Sequence, residues 1–270
     1  MERPAPRRSP GYRDDFSNAM ALTTPALLLR SAPFQEADRM LTLFAPKQGK
    51  VSACAKGARK SWRRFGGAIE PFALFEATFT RTNAPIWLLS EARLIDAHDG
   101  LARDLARIGA ASLIIELVRE IVQEGEAQEE LFNTTVQLLG LLASADARNL
   151  TLTALAGELK ILSLAGTAVS ADRCSACGRL VPSNRRAYFH PARGGVICTK
   201  CGGGPIALSK EAAALLIELD KHSPAELTQI KSTSETQQEI WSAVHLFIEH
   251  HLGRSLRSAS VIHGSSSGVS

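Results

Sequence analysis

The run Arg39-Met40-Leu41-Thr42-Leu43-Phe44-Ala45, the break Pro46-Lys47-Gln48-Gly49 and the run Lys50-Val51-Ser52-Ala53-Cys54-Ala55-Lys56 decide the fold. Both runs have strand length, and Gln48-Gly49 between them is a turn signal, so the segment reads as two paired strands. Working outward, Pro25–Arg30 lies before it, while Phe72–Thr80 and Ile86–Leu94 lie after it. Pro33 to Asp38 closes a first hairpin, and a long Gly- and Arg-bearing break follows the third run. Five strands in about 75 residues suit a small barrel, because closing the sheet removes exposed edges. The five-stranded OB barrel is the economical choice, with an SH3-like barrel as the structural alternative.

Beyond Gly100 the apolar period changes from two to between three and four. Leu101, Leu105, Ile108, Ser112, Ile115 and Val118 share one helical face, with Arg103, Arg107, Glu116 and Arg119 elsewhere on the surface. Further helices are predicted from Ala127 to Ala143 and from the cap Asn149 to Gly166. Another runs from Lys210 to Lys221 behind the cap Ser209, and the capping box Ser223-Pro224-Ala225-Glu226 opens the next. The last reaches from Ser234 to Leu252, where Gly253 can stop it. The expected architecture is α+β. A disordered leader (1–22) precedes the barrel (23–98). A helical domain (99–170 and 209–258) is interrupted by an insertion (171–208), and a flexible tail (259–270) follows.

The 270 residues, 45% of them hydrophobic, allow about two domains with real cores. No stretch approaches the roughly 18 consecutive apolar residues of a membrane span, and the Pro/Arg-rich start lacks the apolar run of a signal peptide, so a cytoplasmic location is expected. The net charge of +4 is uneven: the chain carries +6 up to His98 and −2 from Asp99 onward. Lys47, Lys50, Lys56, Arg59, Lys60, Arg63 and Arg64 fall in one window without a single acid. Like charges so dense repel one another, and binding a polyanion is their natural use; a solvated loop is the plain alternative. Trp62 and Phe65, inside the window, can stack on bases or pin the loop to the barrel. Phe34, Phe44 and Phe72 fall inside strand patterns and are expected in the core.

Cys174-Ser175-Ala176-Cys177 and Cys198-Thr199-Lys200-Cys201 have the spacing Cys-x2-Cys-x20-Cys-x2-Cys. Two sharp knuckles can place four thiolates around one Zn²⁺. Gly178 and Gly202 follow the second cysteine of each pair, where the turn needs a residue tolerating positive φ. Ala187–His190 and Gly195–Ile197 read as a short hairpin between the knuckles. A redox dithiol is the rival, but neither pair opens a helix in a thioredoxin-like unit. Four protein ligands leave no position for water, so one structural zinc is expected, with His190 in a hairpin role and Cys54 a small packing residue.

No catalytic residue emerges. Gly49-Lys50-Val51 resembles the end of a P-loop, but Phe44 stands where glycine and Val51 where Ser/Thr should be. Gly264-Ser265-Ser266-Ser267-Gly268 has the letters of a hydrolase elbow without a following helix. Glu124, Glu126, Glu129 and Glu130 read as a solvated turn, and His245, His250 and His251 have no zincin frame.

The barrel segment Glu36–Phe44, Gly49-Lys50-Val51, Ala55–Lys60 and Glu70-Pro71-Phe72 resembles the RecO family of recombination mediators. So do Leu117–Glu120, Glu130-Leu131-Phe132, Glu158–Leu162, Asp172-Arg173-Cys174, Gly194–Cys198 and His250–Arg254, in the family's order, from Pro25 to Ser258. The resemblance implies an OB barrel followed by a helical domain with a zinc finger. It implies non-catalytic work: binding single- and double-stranded DNA, annealing complementary strands, and helping RecA onto strands coated by single-stranded-DNA-binding protein. The implied partners are RecR, the acidic C-terminal tail of the coating protein and, indirectly, RecA, with a nucleoid-associated location. Some members lack the cysteines, so zinc is expected to support the fold. Arg39, Lys47, Lys50, Lys56, Arg59, Lys60, Trp62, Arg63 and Arg64 are the expected DNA contacts. The readings from other classes are a nucleic-acid-processing enzyme with an unrecognised site and a purely protein-binding zinc adaptor.

Overall fold

The computed structural model describes residues 21–80, 86–182, 186–224, 226 and 230–259. The leader before Ala21, the tail from 260 and most of the helix expected after Ser223 lie outside the described residues. Strands β1 (Ala21–Phe34), β2 (Asp38–Ala45), β3 (Gly49–Ala55), β4 (Leu74–Thr80) and β5 (Trp87–Asp96) close a barrel in the order β1-β2-β3-β5-β4, β4 returning to β1. The parallel β3/β5 pair and the short helix α1 (Trp62–Phe65) between β3 and β4 give the OB topology.

β1 is much longer than the predicted Pro25–Arg30, because closure gives it two partners. Its first half pairs with β4 and its second with β2, and an irregularity in register between Leu28 and Arg30 accompanies the change. The continuous run Ala26-Leu27-Leu28-Leu29 is buried on both faces: Ala26 and Leu28 fill the barrel, while Leu27 and Leu29 join the core of the helical half. That is why the run shows no polar alternation. Phe44 likewise faces outward from the barrel and meets Phe132 edge-on, ring centroids 5.3 Å apart.

Helices α2 (Leu105–Ile121), α3 (Glu129–Ser144), α4 (Leu150–Leu164), α5 (Lys210–Lys221) and α6 (Ser234–Leu252) form the helical half. Asp104 caps α2, Ser209 caps α5 as its sequence predicts, and Thr233 caps α6 by accepting from the Thr236 amide. The Ser223 amide and hydroxyl both donate to the Glu226 carboxylate, while the Glu226 amide donates to the Ser223 carbonyl rather than to its hydroxyl, so the expected capping box forms only in its carboxylate half. β6 (Ala187–His190), β7 (Gly195–Ile197) and β8 (Ile206–Leu208) make a sheet of order β7-β6-β8, with β6 and β7 as the predicted hairpin. Its Phe189, Val196 and Leu208 are buried in the same core as α2 to α6, so the insertion has no separate core.

Some expectations are corrected. Leu101 lies in a 3₁₀ turn before α2, and Leu105 is 72% exposed at the helix start rather than on the buried face. Glu116 is buried, because the amide of Ser258 donates to it at 2.8 Å and Arg119 lies 3.5 Å away. Asn149 makes no side-chain cap; the Asp146 carboxylate caps the preceding turn instead. Phe34 is exposed at the tip of the first hairpin, and Phe72 is half-buried ahead of β4, at φ 67°.

Barrel and bundle join through a backbone seam. The Lys50 amide donates to the Gln123 carbonyl, the Gly125 amide to Gln48 and the Gln128 amide to Pro46, at 2.8–2.9 Å. Gly49 sits at φ 63° within this seam, where an added Cβ would lie 2.3 Å from the Gln123 carbonyl oxygen. Only glycine meets both demands.

Candidate metal centre and nucleic-acid interface

The two cysteine knuckles are built by their own backbones. Cys177 and Gly178 amides donate to the Cys174 carbonyl, and the Cys201 and Gly203 amides donate to the Cys198 carbonyl. Gly178 at φ 71° and Gly202 at φ 97° complete the two turns. The Ser175 amide donates to the Val196 carbonyl at 2.9 Å and so fixes the first knuckle against the strand that leads into the second.

The four sulfurs all lie within 4.8 Å of one another, with Cys177 Sγ and Cys198 Sγ 3.9 Å apart. Tetrahedral bonds of about 2.3 Å to a metal place sulfurs about 3.8 Å apart, so the set can close on one ion. The Cys198 amide donates to Cys174 Sγ and draws that thiol down to about 6 against its burial, while hydrogen bonds shared with Cys198 and Cys177 push Cys201 up to about 12. Four sulfurs crowd one point where a negative charge is welcome but four are not, and a cation removes that conflict. His190, at the end of β6, is not among the metal-competent groups found in the described residues. Cys54 is half-buried; burial and then the charge of Asp38 push its thiol up against the pull of Lys56, which suits packing rather than nucleophilic chemistry.

The basic residues divide into three groups. Lys47, Lys56, Lys60 and Arg63 are exposed, and beside the last two Trp62 is 79% exposed. Phe65 is instead buried in the barrel core, so of the two aromatics one pins the loop and the other faces solvent. A second group holds structure. Lys50 Nζ donates to the Arg119 carbonyl at 3.0 Å, across the seam. Arg64 donates to the Lys56 carbonyl at 2.7 Å and to Ser61 Oγ, and its guanidinium lies over the Phe65 ring. The third group, Arg39 and Arg59, faces a cleft between barrel and bundle. Arg39 donates to the Ile69 carbonyl near Glu70, and Arg59 to the Glu36 carbonyl.

Sequence reading missed the other cations of that cleft, Arg30, Arg119, Arg254 and Arg257, because they come from β1, α2 and the segment after α6. His245 is another missed feature. Its Nε2 lies 3.1 Å from a carboxylate oxygen of Glu158, which is fully buried, and its ring stacks on Trp241. No helix of the described residues is long and apolar enough to cross a membrane.

An OB barrel with a basic, tryptophan-bearing loop, joined to a helical bundle with a four-cysteine centre, defines a class of OB-fold proteins with a metal-competent helical half. Residues 20–98 match the family described as recombination protein O N terminal, and residues 102–260 match recombination protein O C terminal. The chain belongs to the RecO family. It is 38% identical over 241 residues to the DNA repair protein RecO of Anaeromyxobacter sp. (strain Fw109-5), covering 87% of this chain and 93% of that protein. The DNA repair protein RecO of Anaeromyxobacter dehalogenans (strain 2CP-C) is 36% identical, over 85% of this chain and 91% of that protein. That of Myxococcus xanthus (strain DK1622) is 34% identical, over 86% and 93%.

Proposed function

We propose that this chain is a non-catalytic mediator of recombinational DNA repair. It binds single- and double-stranded DNA, anneals complementary strands and helps RecA replace single-stranded-DNA-binding protein. RecR and the acidic tail of the coating protein are its partners at the nucleoid, and one structural Zn²⁺ occupies the cysteine centre, which four soft sulfur donors suit. The observation that carries the DNA reading is the exposed Trp62 among Lys56, Lys60 and Arg63, on a loop anchored by buried Phe65. Such a loop offers a stacking face worth about 1–3 kcal/mol per base beside cations that follow phosphates. Annealing then needs no reacting group: cations lower the repulsion between two strands until pairing nucleates.

Fluorescence anisotropy of labelled single-stranded DNA against salt tests this. In Lys56→Ala/Lys60→Ala/Arg63→Ala the log–log slope falls by about 2, at roughly 0.7 per phosphate contact. Equal slopes for wild type and variant overturn the loop assignment, and absence of binding by both favours a protein-binding adaptor.

A further inference from the structure

The cleft between barrel and bundle has a volume of about 1060 Å³ and is lined from β1, β2, the turns before α1 and β4, α2 and the segment after α6. Six arginines line it (Arg30, Arg39, Arg59, Arg119, Arg254 and Arg257) against the carboxylates of Glu70, Glu116 and Glu120, leaving a surplus of three positive charges. A cleft with so many charged groups does not suit a small apolar ligand, whose pockets are mostly hydrophobic.

Two of the cations, Arg119 and Arg254, are held in place before any ligand arrives. Glu116 and Glu120 lie 3.5 Å and 3.1 Å from the Arg119 guanidinium, and Glu120 also pairs with Arg254. A guanidinium carries five N–H donors and a carboxylate engages about two, so each clamped arginine keeps donors for another anion. Its rotamer is already ordered, which lowers the entropy cost of the next contact. Arg30 and Arg257 are exposed at the rim, and Arg30 meets no carboxylate among the described residues. Arg59 belongs to both the cleft wall and the basic loop, so the two cationic surfaces are continuous.

The geometry points to a phosphate track: a nucleic-acid strand held by the basic loop continues into the cleft between barrel and bundle, where Arg30 and Arg257 contact its backbone. This rests on the DNA-binding reading of the loop. It extends the path from the barrel, where sequence placed it, onto residues of the helical half.

The test is salt-dependent anisotropy of labelled oligothymidylate with the full chain, comparing wild type, the loop triple variant and Arg30→Ala/Arg257→Ala. The expected slope of the cleft variant falls by about 1.4, at roughly 0.7 per contact, and Arg30→Lys/Arg257→Lys restores it. If wild type binds and the loop variant loses slope while the cleft variant matches wild type, the track is overturned and the loop reading stands. If wild type does not bind, the loop reading fails and takes the track with it. If the cleft variant keeps its DNA slope but loses binding of labelled polyglutamate, the occupant is an acidic protein segment and the track is again overturned. Thermal melts accompany each protein; should the alanine pair melt early, Arg30→Gln alone reads one contact, and an unchanged slope there overturns the proposal.

Discussion

Neighbouring residues with the same chemistry take opposite roles. Trp62 and Phe65 are three positions apart on one short helix, yet one is 79% exposed and the other 2%. Phe65→Ala therefore leaves a cavity in the barrel core and costs about 3–5 kcal/mol in urea unfolding. Trp62→Ala leaves stability within about 0.5 kcal/mol and acts on DNA affinity. The Glu158–His245 pair is a second residue-scale case: among the described residues, a wholly buried carboxylate has one imidazole as its side-chain partner. His245→Ala leaves that carboxylate without its partner and costs about 1–3 kcal/mol, whereas Glu158→Leu/His245→Leu recovers most of the loss, both measured by urea titration.

At the scale of elements, the seam and the segment after α6 are the vulnerable joints. Gly49→Ala forces a side chain into the Gln123 carbonyl at positive φ and destabilises the protein by about 1–3 kcal/mol, with faster amide exchange at Lys50 and Gly125. The segment after α6 is tied to α2 through Glu116, whose burial opposes ionisation but whose hydrogen bonds from Ser258 and Arg257, with Arg119 alongside, hold it below the usual carboxylate range. For Glu120, hydrogen bonds from Arg254 and Arg119 likewise outweigh burial. A carboxylate depressed on folding stabilises the native state above its unfolded value of about 4.3, and that stability is lost as pH falls through the lower folded value. Acidification below about pH 4.3 thus raises hydrogen exchange at Ser258, and Glu116→Gln removes much of that pH dependence.

For the whole molecule, the cysteine centre and the bundle share one core, because Phe189, Val196 and Leu208 sit beside residues of α2 to α6. The barrel has an interior cluster of its own, including Phe75, Phe79 and Leu43. Chelation, or Cys174→Ser, therefore lowers the melting temperature of the bundle more than that of the barrel and splits one calorimetric transition into two. A single unsplit transition would show that the seam couples the halves more strongly than the cysteine centre supports the bundle.

Local pattern was enough for the barrel strands, most helices and the cysteine knuckles. In each case the determining interactions are short-range: alternation along β2 and β3, Ser209 capping its own helix, and two Cys-x2-Cys turns followed by glycine. Local pattern failed wherever a residue answers to a distant partner. The Pro25–Arg30 run became a fourteen-residue strand because β4 pairs with its first half. Phe34 left the core because it stands at the exposed hairpin end of β1, opposite Asp38, and Glu116 entered it because Ser258 reaches back to meet it. The sequence by itself determined which segments become strands, helices and metal-competent cysteine turns, since these depend on residues a few positions apart. Only the tertiary structure decided which cations stay free, which are tied down, and that Arg30 shares a cleft with Arg257, because long-range packing sets those distances.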